Sequence, residues 1–159
     1  MLTSSVICLR RDGDGWTAWT IYEMTRQILA MTEKPTIGIG NVHVGHPGNE
    51  VVAGSWWHAV VIYGSADSWN VETLLDIAGM TGTLWGARAG DYDPTVPGEE
   101  VFVIAETVLD ASLGYVFSRA GTNWTSRTVY SAEVAMDSAA GEFDPQHDGP
   151  EVVLPTEMG

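Results

Sequence analysis

The amino-acid sequence predicts an α+β domain: a mostly antiparallel sheet, two helices packed on one face, and an extended acidic C-terminal tail. Three observations lead there. Several segments alternate apolar and polar residues with period two, and two others place apolar residues at i, i+3 and i+4. Beyond residue 136 the periodicity fades into an acidic, proline-containing stretch. A chain of 159 residues with 45% hydrophobic content suits one core, hiding roughly 70% of its unfolded surface. The expected organisation is one domain over 1–136 and a tail over 137–159.

Ser4–Arg11 is apolar and β-branched enough for a strand, and Asp12-Gly-Asp-Gly15 turns the chain. Trp16–Tyr22 alternates like the return arm of a hairpin, yet Ile21, Met24, Ile28 and Met31 fall at helical spacing. The reading chosen is a helix over about 17–32, stopped by Lys34-Pro35. Thr36–Val44 reads as a glycine-loosened strand, and Glu50–Tyr63 as a long strand bulged at Gly54-Ser55. Val71, Leu74, Leu75 and Ala78 then trace the core face of a second helix. Residues 86–98 read as a loop. Strands follow over 100–109, 113–119 and 124–136, with no internal repeat evident.

The charge excludes some partners. Seven basic residues against 21 acidic give −14, a surface that repels phosphate and anionic lipid. Sequence-specific nucleic-acid binding and membrane binding are therefore not expected. Cys8 is the only cysteine, so no disulfide closes within the chain. The N-terminus lacks the order of a signal peptide, its basic pair following the apolar residues. No apolar run reaches the ~20 residues of a membrane-spanning helix. The expected location is the cytosol, or a virion assembled in the host cytoplasm.

Chemical motifs are weak, and the expectation is no catalytic, cofactor or metal residues. His43 and His46 are close in sequence, but strand geometry points them apart, and two ligands make no metal site. Gly38-Ile-Gly40-Asn-Val-His43 lacks the third glycine and the following helix of a dinucleotide loop. Asp12-Gly-Asp-Gly15 lacks the further ligands of a calcium loop, and Asn123-Trp-Thr125 is an idle glycosylation acceptor without secretion. No nucleophile elbow occurs. Glu106, in an apolar strand, is the carboxylate whose setting best suits a raised pKa; an outward-facing position explains it more simply.

Aromatic content is the more telling feature. The seven tryptophans are Trp16, Trp19, Trp56, Trp57, Trp69, Trp85 and Trp124. Adjacent Trp56 and Trp57 cannot share one strand face, so some rings are expected at contact surfaces, where aromatics concentrate. The interface candidates are Trp56, Trp57, Trp69, Trp85 and the tail patch Val152, Val153, Leu154. A tail of this composition needs a surface to lie on, and a neighbouring subunit is the expected one.

In element order, the span 17–136 resembles the tail-terminator or tail-completion proteins of tailed bacteriophages. The parts that carry the likeness are the helix over 17–32, the strand 57–63 running into a helix over 65–80, and a closing strand over 129–135. The resemblance implies a non-enzymatic homo-oligomer, a ring at the head–tail junction contacting other virion proteins, whose acidic wall lets DNA slide. A capsid decoration protein and an acidic DNA-mimic inhibitor of a host protein are the alternatives.

Overall fold

The computed structural model describes residues 2–26, 36–55, 58–65, 68–77, 83–106, 111–132, 135, 137–144, 146 and 151–156. Every regular element among them is a strand. This overturns the α+β expectation of two helices on a sheet. β1 (Leu2–Asp12) and β2 (Gly15–Arg26) form a hairpin. β3 (Thr36–Gly40), β4 (Glu50–Ser55), β5 (His58–Ser65) and β6 (Ser68–Asp76) form a four-stranded antiparallel meander. β7 (Thr83–Gly90), β8 (Glu100–Glu106), β9 (Ser112–Ala120) and β10 (Asn123–Ala132) form a second. The tail contributes β11 (Ala139–Gly141) and β12 (Glu151–Val153), paired with each other, and an Ala135–Thr156 bridge.

A bulge explains part of the helical signal in the second expected helix, whose residues 66–67 and 78–80 lie outside the described residues. In β6 the register skips Leu74: Ala59 faces Leu75 and Val60 faces Thr73. A bulge turns two neighbours toward one face, so both Leu74 and Leu75 pack on the core. Val71 completes the i, i+3, i+4 spacing in the sequence, but it stands opposite Ile62 on the other face. In β2 the register skips Ile21 in the same way, and Ile21 and Tyr22 both pack inward. Of the first expected helix, residues 17–26 are strand, and 27–32 lie outside the described residues. The expected long strand over 50–63 is two strands, β4 and β5, paired with each other.

The layers stack four deep. The hairpin packs Val6 and Ile21 on Ala53, Val60 and Ile62 of the first meander. That meander's other face, with Val52, Ala59 and Val61, packs on Val101, Val103 and Phe117 of the second. The far face of the second, with Phe102, Ile104 and Val116, is closed by Ala135, Val152 and Leu154. Each meander thus has a layer on both faces, with Ile37 and Ile39 of edge strand β3 left exposed, and the tail lies on its own chain. At the contact between meanders, β7 crosses β3 closely. A Cβ on Gly38 would sit 3.1 Å from the Ala89 nitrogen, so glycine faces inward there while Ile37 and Ile39 face out.

The strand pattern reveals an internal repeat that the sequence reading missed. Glu50 pairs with Gly40, and Glu100 with Gly90. Each glutamate is 1% exposed and accepts the amide of the residue seven positions earlier, from His43 at 3.0 Å and Asp93 at 2.9 Å. The His46 and Val96 amides donate to the His43 and Asp93 carbonyls, both at 2.8 Å. Gly48 and Gly98 hold φ of 111° and 98°, where glycine is unstrained. The hairpins repeat three times. Trp16, Trp69 and Trp124 each stand second after the turn, with the skipped residue five places on, at Ile21, Leu74 and Val129. Arg11 Nε donates to the Gly13 carbonyl at 3.2 Å and Arg119 Nε to that of Gly121 at 3.1 Å.

Candidate functional site

Equivalent positions in the three hairpins define two faces of each layer. Residues opposite one another in an antiparallel pair share a face. One face, here the front, carries Ile7, Leu9 and Trp16 in the first hairpin, Val60, Ile62 and Trp69 in the second, and Tyr115, Phe117 and Trp124 in the third. The back carries Cys8, Val61 and Val116 at matching positions. Each back face meets the next front face, so the layers associate head to tail. Val60 and Ile62 are 0% exposed and Phe117 5%. The first front face differs: Ile7 is 57% exposed, Leu9 61% and Trp16 69%. Isolated apolar residues on a surface mean little, but a row in a position buried twice elsewhere marks a contact surface.

A second feature lies where the repeated loops meet. Val44 and Gly45 of one loop, Thr95, Val96 and Pro97 of the other, and Arg119 from the β9–β10 turn region border a cleft of about 520 Å³. Beside it, Glu72 on the back face of the first meander ties the two meanders together. Its carboxylate accepts from Tyr63 at 3.0 Å, from Trp124 Nε1 at 2.6 Å, and from both terminal nitrogens of Arg119. Burial pushes the Glu72 carboxyl up, but the hydrogen bonds from Arg119, Trp124 and Tyr63 outweigh it and hold it below the usual range. The Tyr63 hydroxyl, bonded to that carboxylate, is raised. Arg119 also stacks 5.3 Å from the Trp124 ring centre. The arrangement is a lock between layers, with every group of Glu72 engaged.

His43 and His46 flank Tyr63, with ring centres 4.6 and 5.5 Å away. His46 Nδ1 lies 3.3 Å from Glu50 Oε1, outside hydrogen-bond alignment. Among the described residues, no three His, Cys, Asp or Glu side chains are grouped to hold a metal. In the second repeat Asp93 and Val96 replace the two histidines. Burial pushes the Glu100 carboxyl up, and the Asp93 and Tyr92 amides offset it only in part. A carboxyl raised on folding costs stability as pH rises through its folded pKa. Glu100→Gln is therefore expected to gain on the parent as pH goes from 4 to 8. Paired thermal melts across that range check it; a constant difference rejects it.

The interface residues expected from sequence fall in different places. Trp69 is half-buried against the first hairpin. Trp85 is half-buried against the tail and donates to Glu106 at 2.8 Å. Val152 and Leu154 pack on the second meander, while Val153 is 51% exposed. Trp56 and Trp57 lie outside the described residues. Ile7, Leu9 and Trp16 were missed as interface candidates; the signal was the continuous apolar run Val6-Ile7-Cys8-Leu9, which is apolar on both strand faces. Comparison of the chain with family models, curated proteins and solved structures finds no match. Fold and site together define a layered antiparallel β protein with one uncovered front face.

Proposed function

We propose that this chain is a non-enzymatic assembly protein acting as a homo-oligomer within a tailed-virus particle. Its place there is a ring at the head–tail junction or, alternatively, the decorated outer surface of the capsid. One observation carries the assembly reading. Ile7, Leu9 and Trp16 are exposed on a front face whose two counterparts are closed by a neighbouring layer. Covering three such side chains is worth several kcal/mol of apolar burial, at about 25 cal/mol per Å². The virus-particle part rests on the acidic balance of −14, which suits a wall past which DNA slides. The element-order likeness lends it no support, since residues 17–26 and 68–76 within its two helices are strand.

The expected result is a defined oligomer by mass photometry and light scattering, growing as the protein is raised from nanomolar to tens of micromolar. A monomer across that whole range overturns the proposal.

A further inference from the structure

We propose that the front face of the first hairpin docks on the acidic C-terminal layer of a second copy of this chain. This rests on the assembly reading above and names the surface that completes it.

The first argument is continuity. The molecule stacks front face on the preceding back face twice, hairpin to first meander and first meander to second. Such contacts are heterologous: the two surfaces differ, so a front face is not built to meet another front face. Among the described residues, the end of the stack that faces the way a back face does is the tail layer over Phe102 and Val116. A partner continuing the pattern therefore presents its C-terminal layer.

The second argument is charge. Residues 2–26 hold Arg10, Arg11 and Arg26 against Asp12, Asp14 and Glu23. The hairpin is neutral, and the rest of the chain bears the full −14. The uncovered face carries both Arg11, opposite Trp16, and Glu23, opposite Ser5. Residues 137–156 hold Asp137, Glu142, Asp144, Asp148 and Glu151 and no lysine or arginine. A hairpin face without net charge meets the acidic tail layer with no net repulsion, and Arg11 finds carboxylates there.

The third argument is apolar surface at the receiving end. Val153 is 51% exposed and Phe143 55%. Val153 neighbours Val152, which packs inward, so strand alternation turns it to the outside of the stack. The two ends thus offer unlike but complementary surfaces, each with exposed apolar residues.

The test uses two full-length variants, Leu9→Lys at one end and Val153→Lys at the other. Both positions are largely exposed, so both variants should melt like the parent. Each is expected to weaken self-association at least about 10-fold. Mixed one to one, they should recover a heterodimer by mass photometry, because each keeps the end the other lost. If Val153→Lys assembles like the parent while Leu9→Lys does not, the hairpin docks elsewhere and the head-to-tail proposal falls, though the assembly reading stands. Two defective variants that form no heterodimer on mixing also overturn it. A parent that stays monomeric defeats the assembly reading itself.

Discussion

Gly38→Val is expected to destabilise the fold by about 2–3 kcal/mol, the usual range for forcing extra atoms into a close-packed contact. A Cβ there meets the Ala89 nitrogen at 3.1 Å and the Arg88 Cα at 3.2 Å. Both are backbone atoms of β7, which cannot step aside singly because β8 holds that strand in register. For a chain of this size, such a loss lowers the melting temperature by roughly 5–10 °C. The matched control is Ile39→Val. Ile39 points the other way from the same strand and is 67% exposed, so it should melt within about 1–2 °C of the parent. Equal melting of Gly38→Val and the control would mean that the meanders do not meet at β3 and β7.

Glu72→Ala removes the acceptor shared by Tyr63, Arg119 and Trp124. The Arg119 side chain is only 8% exposed, and a charge left buried without its partner costs several kcal/mol. Glu72 itself is 25% exposed, which brings the expected loss down to about 2–3 kcal/mol. The sign with pH follows from the depressed carboxyl. Its stabilisation is complete above the usual carboxylate pKa of about 4.3 and vanishes as pH falls through the lower folded value. The gap between variant and parent should thus be widest at neutral pH and shrink below pH 4. Urea unfolding at pH 7 and pH 3.5 checks this, and a gap as wide at 3.5 would rule out the ionised lock.

Much of the sheet was legible in the sequence. Strands near 4–11, 100–106 and 113–119 follow from their apolar, β-branched content, and the Asp12-Gly-Asp-Gly15 turn from its residue types; 107–109 lie outside the described residues. The first helix rested on Ile21, Met24, Ile28 and Met31, of which Ile28 and Met31 lie outside the described residues, and the second failed for a physical reason. A bulge inserts a residue into period two, and across it Leu74 and Leu75 share a face, as residues i+3 and i+4 do on a helix. β7 was hidden because Gly86, Ala87, Ala89 and Gly90 read as loop composition. Ala87 and Ala89 lie against β3 and β4, and a Cβ on Gly86 would meet Ser138. The repeat left a readable trace: Pro-Gly-x-Glu-Val stands at 47–51 and again at 97–101. Around it the chain diverges, and corresponding residues face different neighbours. Val52 packs on the second meander, while Phe102 packs on the tail. The exposed front face was harder to foresee, because Ile7 and Leu9 have the composition of any buried strand. Only the position of the inner row, on Val6, Cys8 and Trp19, shows which side faces water.

Because each layer leans only on the one before and the one after, cohesion here is a chain of nearest-neighbour couplings, not one indivisible core. Inner sheets are gripped on two sides and the terminal hairpin on one. Heat should therefore peel the molecule from its ends, leaving the Glu72 clasp between the two meanders as the last junction to part. The same logic makes a four-stranded unit a modular part, one that can be copied in or deleted in frame while its neighbours still find a matching surface.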